Sequence, residues 1–337
     1  MGALALVTTA SISLAGLGAS TAAAATNPLQ GKTVTMIIPH GAGGGFDTMA
    51  RLAAQYIKLY APVSSVVPEN VTGGGGVIGD DQIWNSPRNG LYIGICDPDV
   101  MAENFDGNVV GVKYRPAQMS WLIGATSTSN VLVLSKKSPF YPLSHIKKGE
   151  TIAVGAASSG DDLLDGYLMA RALGLTARLV TGWSGGTAQE IPALSTGKPD
   201  AFVLDGDSAA RAIADGYAVP LMQINLNRHP ALLKIPLLLS RTPKSSSFYQ
   251  AAVATTAVET ADKAFCGPPM SPALTAEWRG IFNKVFANKS FIKKLEADDL
   301  VPFIRTGAEM QAHEKIAVKD GKDLLKAVTF VDKQVGQ

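Results

Sequence analysis

Apolar runs of strand length alternate with longer amphipathic stretches along most of this chain. VTMIIP (34–39) leads into FDTMARLAAQYIKLY (46–60), whose apolar positions recur with helical spacing, and SSVV, VIGDDQIWN and LYIGIC follow in turn. Such strand and helix alternation predicts an α/β unit on a parallel sheet. A second unit begins beyond Gly124: VLVLSKKSPF and TIAVGAA read as strands, Asp161 to Leu173 as a helix, ARLVTG as a strand, Ala188 to Ser195 as a helix and DAFVLD as a strand. The segment Asn225 to Ser247, with Pro230, Pro236 and Pro243, reads as a connection, and AVATTAVETADKAFCGPP as a returning strand. Helices are expected over Pro272 to Ala287, Ser290 to Asp298 and Ala308 to Ala317. The expected organisation is a first lobe from 26–124, a second from 125–225, and a return connection with the rest of the first lobe from 226–337. A cleft between the lobes would be faced by loops at the C-terminal ends of the strands.

Those loops carry the candidate chemistry. Gly41, Gly43, Gly44 and Gly45 lie between the first strand and the first helix, where bare backbone lets a ligand reach the amides. Asp47 is expected to cap that helix. A second cluster, Gly73 to Gly76, follows SSVV and the turn residues Pro68, Glu69 and Asn70. In the second unit GAASSGD places Ser158 and Ser159 before a helix, as ligand donors or as simple caps. Together these loops suit an anionic small molecule gripped by backbone amides.

Rival motifs fit less well. For a dinucleotide turn, Gly41 and Gly43 supply two glycines but Phe46 stands in the third position, and Gly31-Lys32-Thr33 lacks the opening glycine of a P-loop because Thr26 stands there. Gly182 to Gly186 fits G-x-S-x-G, so the alternative function is an α/β serine hydrolase with Ser184 as nucleophile. Asp205 or Asp207 would then orient His229 or His313.

Charge and cysteine content narrow the setting. The net charge is +2, and no basic cluster is interleaved with aromatics, which argues against nucleic acid. Residues 1–25 are uncharged and end in ASTAAAA, as in a signal peptide cut near Ala25, although no basic n-region precedes it. A membrane anchor is the alternative for this stretch. Cys96 and Cys266 each end an apolar strand-like run, so they form either a bridge between neighbouring strands or two buried thiols. No spacing of ligands suggests a metal, and no cofactor is expected.

PHGAGGGFDTMAR resembles the first ligand loop of the tripartite tricarboxylate transporter receptors, the Bug family of periplasmic solute-binding proteins, and VVPENVTGGGGVIGDD resembles the second. VGAASSGDD, VTGWSGGTAQEIPALSTGKPDAFVLD and KAFCGPPMSP resemble the family's later segments in the same order. The resemblance implies a two-lobed type II periplasmic binding protein, a monomer without catalysis, that closes on a small carboxylate and hands it to two integral membrane transporter subunits. By position it implies a carboxylate site formed by Ala42, Gly43, Gly44, Gly45 and Asp47 with Gly74, Gly75 and Gly76. The far end of the ligand would be read by Ser158, Ser159, Trp183, Ser184, Gly185 and Asp205. His40 departs from the family's usual aromatic residue and Trp183 from its usual tyrosine. His40 is read as stacking on the ligand, as pairing with it when protonated, or as a surface histidine; Trp183 is either a ligand platform or lobe core.

Overall fold

The computed structural model describes residues 27–126, 129–156, 161–183, 186–225, 228–258, 263–298, 300–315 and Lys326. The expected signal peptide lies outside the described residues. Eleven strands among the described residues form two sheets.

The first sheet contains β1 (Thr33–Ile38), β2 (Ser65–Asn70), β3 (Tyr92–Cys96), β4 (Ser120–Thr126), β10 (Ala264–Gly267) and β11 (Pro302–Thr306), in the order β11-β4-β10-β3-β1-β2. In β1, Val34, Met36 and Ile38 point to one side and Ile37 to the other, the period-2 alternation of a strand. Both sides are buried. The first set joins Met49 and Ala53 of helix α1 (Gly45–Ile57) and Trp278 and Phe282 of helix α9 (Pro272–Phe286); Ile37 meets Ile83 of helix α2 (Val77–Asn85) and Met101 of helix α3 (Pro98–Asp106). Each such fully buried aliphatic side chain is worth roughly 1.5–3 kcal/mol relative to exposure.

The second sheet contains β5 (Asn130–Ser135), β6 (Thr151–Gly155), β7 (Thr176–Val180), β8 (Ala201–Leu204) and β9 (Ala218–Ile224), in the order β7-β6-β8-β5-β9. Its central strands β5 and β8 are likewise covered on both faces. Leu132 and Leu134 pack with Leu164 and Leu168 of helix α4 (Asp161–Ala172), whereas Val131 and Val133 pack with Phe202 and with Ala209 of helix α6 (Gly206–Ala214). Pro220 is tolerated because β9 is an edge strand whose register with β5 shifts beside it.

Three expectations need correction. The sheets are mixed: β10 runs antiparallel to both β3 and β4, and β5 antiparallel to both β8 and β9. A chain that leaves one sheet and returns to it enters from the opposite end, which a local pattern does not record. Pro68, Glu69 and Asn70 belong to strand β2 rather than to a turn; β2 is an edge strand, so Pro68 can be accommodated in it. The stretch read as a returning strand from Ala252 begins instead within helix α8 (Tyr249–Val258), and the strand is only β10. In α8 Thr256 donates its hydroxyl to the Ala252 carbonyl at 2.7 Å, and Ala251 and Ala252 join the core of the second sheet.

Both passages between the sheets meet at one point. The chain leaves the first sheet after Thr126 and re-enters it at β10. The Lys263 amide donates to Thr126 Oγ1 at 3.1 Å, and its carbonyl accepts from Ala125 at 2.8 Å. Cys96 and Cys266, on the adjacent strands β3 and β10, are joined by a disulfide with Cα atoms 6.1 Å apart, and both are fully buried.

Candidate functional site

Between β1 and α1 the chain turns through Pro39, His40 and the first glycine cluster. Helix α1 starts at Gly45, earlier than expected, with Gly44 as its extended N-cap and no side chain capping it. Asp47 is therefore the third helical residue and not the cap. Its buried carboxylate reaches back to accept from the Gly43 amide at 2.9 Å, one residue before the N-cap, a bond displaced by one position from the return half of a capping box. It also accepts from Arg51 Nε at 2.8 Å and Asn70 Nδ2 at 3.0 Å, and Asn70 Nδ2 donates to the His40 carbonyl at 3.0 Å as well. Burial pushes the Asp47 carboxyl up, but the bonds from Arg51, Gly43 and Asn70 outweigh it and hold it below its ordinary value. Asp47 is thus a brace for the loop. The exposed Ala42 and Gly43 stay at its rim, and the first-turn amides at Gly44, Gly45 and Phe46 have no partner within the helix.

The second glycine loop is built differently. Gly73, Gly74, Gly75 and Gly76 all have positive φ (129°, 60°, 63° and 94°), a run that side chains bearing Cβ rarely adopt, and Gly76 is the N-cap of α2. Here the sequence signal is steric necessity. Pro39 meets both the second loop and the helix after it: a Cβ on Gly76 would lie 3.8 Å from Pro39 Cβ, and one on Gly79 of α2 2.8 Å from Pro39 Cα. A cavity of about 430 Å³ opens beside Gly74, lined also by Val77, Ile78 and the 109–113 segment; none of its lining residues comes from the second sheet's lobe.

From the second lobe, Ser158, Ser159, Ser184 and Gly185 lie outside the described residues. Trp183 is half-buried, with its ring edge-on to Phe202 at 5.0 Å and 88°, against the second lobe's core. Gly186 and Thr187, at the start of helix α5 (Thr187–Leu194), reach the first lobe: a Cβ on Gly186 would stand 3.6 Å from His40 Nδ1, and one on Gly44 3.1 Å from Thr187 Oγ1. The first turns of α1 and α5 are therefore neighbours across the lobes. Asp205 caps α6, accepting from the Ser208 amide at 3.0 Å.

Lys263 is the residue that sequence reasoning missed. It is fully buried, its Nζ lies 3.5 Å from Asp205 Oδ1 and 4.8 Å from the centre of the Phe46 ring, and a Cβ on Gly45 would fall 2.9 Å from its Cε. One lysine at the junction of the two sheets thus touches α1 of the first lobe and α6 of the second. The signal available was a lone cation leading into the apolar run AFC, which resembles an ordinary solvated strand end.

His40 stacks on the other component of this cluster, Phe46, with ring centres 3.8 Å apart and 21° between planes. Burial, then the Lys263 charge, push His40 down to about 4, with Asp205 opposing. In these surroundings the imidazole is neutral at pH 7. The folded value lies below the unfolded 6.5, so the unfolded chain binds more protons between the two. The stabilisation associated with neutral His40 is complete above about pH 6.5 and is lost as pH falls through about 4, roughly 3 kcal/mol at most. Replacing His40 by Phe should flatten the stability profile between pH 4 and 6.5 in urea titrations; an unchanged profile would contradict the assignment.

A hydrolytic triad is not assembled at His229. Its Nε2 lies 3.1 Å from Asp207 Oδ1 and its Nδ1 accepts from the Ala231 amide at 3.3 Å, so both ring nitrogens are engaged and neither remains for a serine. Asp207 Oδ1 also accepts from the Val301 amide of the first lobe at 3.2 Å. Among the described residues no group of three or more His, Cys, Asp or Glu is arranged to hold a metal ion, and no helix is long and apolar enough to cross a membrane.

No protein-family model matches the chain. A curated relative, the UPF0065 protein in the tcbD-tcbE intergenic region of Pseudomonas sp. strain P51, is 25% identical over 235 residues, 67% of this chain and 68% of that protein. Among solved structures, the periplasmic binding protein BugD superposes with a TM-score of 0.72 at 19% identity, over 88% of this chain and 98% of BugD. MatC from Rhodopseudomonas palustris, solved with bound malate, gives 0.70 at 17% identity, over 87% and 99%. Two α/β lobes with this strand order, matched over nearly the whole length of these proteins, give the chain the type II periplasmic solute-binding fold.

Proposed function

We propose that this chain is an exported receptor that captures a small carboxylate-bearing solute between its lobes and delivers it to the two membrane subunits of a tripartite tricarboxylate-type transporter. The observation that carries the reading is the meeting of α1's amide-lined first turn with α5's first turn, beside a second loop of four consecutive positive-φ glycines. Malate in MatC, which has the same fold, supports a carboxylate ligand. On this reading His40, Ala42, Gly43, Gly44, Gly45, Gly74, Gly75 and Gly76 form the near wall, with Asp47 bracing it. Ser158, Ser159, Trp183, Ser184, Gly185 and Asp205 form the far wall. The protein acts as a periplasmic monomer, released from a leader cut near Ala25.

Magnitudes favour several groups acting together. A helix N-terminus contributes roughly 0.3–1 kcal/mol to a nearby anion, a hydrogen bond to a charged group about 1.5–3 kcal/mol, and micromolar affinity needs about 8 kcal/mol. Three or four amides drawn from both loops, with closure of the second lobe, reach that figure.

The test is native mass spectrometry of the gently purified mature protein, followed by thermal shifts with succinate, malate, adipate, citrate, amino acids, aromatic acids and nucleotides. A carboxylate present at a hundred times its Kd should add about 2.7 kcal/mol of stability. Stabilisation by nucleotides alone would overturn the reading, as would turnover of a carboxylate that binds.

A further inference from the structure

We propose that the cavity beside the second glycine loop is a binding site of its own, for the zwitterion of an α-amino acid with an aliphatic side chain. The Asp81 carboxylate receives the ammonium, Lys113 the carboxylate, and Val77, Ile78 and Val110 the side chain. This goes beyond the receptor reading and does not rest on it.

The inference starts from the walls. The cavity holds about 430 Å³, within the roughly 300–1,000 Å³ of small-molecule sites. It lies between the start of α2 and the segment that follows α3, so it belongs wholly to the first lobe. That segment is bent by Asn108 and Gly111, whose φ values of 52° and 101° lie in the left-handed region. Val110, between them, is 97% exposed, and Ile78 on α2 is 55% exposed. Two aliphatic side chains are therefore held in water at the edge of one cavity, where an apolar group would cover both.

The cavity's carboxylate is of the opposite kind. Asp81 is only 9% exposed, and its Oδ1 accepts from the Lys113 and Tyr114 amides at 2.8 and 3.0 Å. Among the described residues no donor meets its Oδ2. Nearly buried carboxylates call for a counter-charge. Burial, and then the Asp81 charge, push the Asp80 carboxyl beside it well up, which marks this corner as short of positive charge.

Lys113 gives the cavity its second charge. Its backbone is fixed at the Asp81 carboxylate, yet among the described residues its ammonium forms no ion pair with that group. The side chain is exposed and lines the same cavity, so a flexible four-carbon stem carries a cation close to a fixed anion. An α-amino acid bears its ammonium, carboxylate and side chain on a single carbon. It complements a place where an anion, a cation and an aliphatic wall converge. A dicarboxylate would instead set a second negative charge against Asp81.

The test is isothermal titration of L-leucine, L-valine and L-methionine into the full mature protein, with L-leucinamide, N-acetyl-L-leucine and glycine as controls. Four forms are compared: wild type, Asp81→Asn, Lys113→Gln and Val110→Ser, each checked by thermal unfolding. Wild type is expected to bind at least one of the three amino acids saturably, and the controls about tenfold more weakly or worse. Asp81→Asn keeps the Oδ1 acceptor and removes the charge; it should lose about 10- to 100-fold. Lys113→Gln and Val110→Ser alter exposed side chains, which spares the fold, and each should weaken binding several-fold. A wild type that binds none of the three overturns the site. So does binding that Asp81→Asn leaves unchanged, which would place the amino acid elsewhere. Leucinamide binding as tightly as leucine overturns the zwitterion and the role of Lys113. Succinate, malate and adipate titrated into wild type keep the two readings apart: acids bound without amino acids overturn the cavity site alone, and amino acids bound at Asp81 without acids count against the carboxylate receptor alone.

Discussion

Lys263→Met alone is expected to cost about 3–5 kcal/mol of unfolding free energy, whereas adding Asp205→Asn should restore most of it. Removing one partner of a buried ion pair leaves the other charge desolvated and uncompensated, while removing both replaces a pair by neutral groups of similar volume. Asp205 is poorly placed to recover by meeting water, because its side chain is only 10% exposed and lies against a fully buried lysine. Protonation gives it a partial escape. Burial pushes its carboxyl up, and the Lys263 charge with the Ser208 bonds outweighs this and holds it below its ordinary value. The pair's contribution is therefore present above the unfolded carboxyl value of 3.8 and fades as pH falls through the lower folded value. In Lys263→Met the opposite dependence should appear, with the penalty easing on acidification as the stranded carboxylate takes up a proton. Urea titrations of wild type, the two single variants and the double variant at pH 7 and pH 4.5 measure the coupling directly. Strictly additive single and double effects would show that the two charges do not interact.

Reduction of the Cys96–Cys266 bond is the second large effect, expected at about 3–5 kcal/mol. The residues are 170 apart in sequence, and the chain-entropy account gives about 5 kcal/mol for a loop of that size, with measured values commonly lower. The bond joins neighbouring antiparallel strands in the middle of the first sheet, where Cys96 faces Ala264 and Cys266 faces Gly94. Both sulfurs are shielded from solvent, so mild reductant should act only on the unfolded or opened chain. The measurement is the urea midpoint of the oxidised protein against a Cys96→Ala, Cys266→Ala variant. Equal midpoints would mean that the bond constrains nothing in the unfolded state.

What was legible in the sequence was whatever local chemistry enforces. The two-lobed α/β organisation followed from strand and helix periods, and the second glycine loop from backbone angles that few other residues adopt. The first loop was legible as a glycine turn, but the role of Asp47 was not: whether an acid caps a helix or reaches back from its third residue depends on where the helix begins, and Gly45 gives no sign that it is already helical. The run AVATTAV is rich in β-branched residues and reads as a strand. Burial of Ala251, Ala252, Thr255 and Thr256 decides for a helix, and that is a tertiary fact. Lys263 was hidden for the same reason. Nothing adjacent to it announces that Phe46 and Asp205, 217 and 58 positions away in the numbering, converge on its ammonium.

The disulfide has a mechanical meaning as well. A pull applied through the two ends of the described chain would run from β1 to β3, across the Sγ–Sγ bond, and out through β10 and the C-terminal helices. Residues 97–265, with the whole second sheet among them, lie off this covalent path. Under tension, such as a chain end caught by a protease or a translocating machine would exert, the second lobe carries no load until the bridge is cut. The second sheet and the helices packed on it are thereby insulated from forces transmitted through the first sheet.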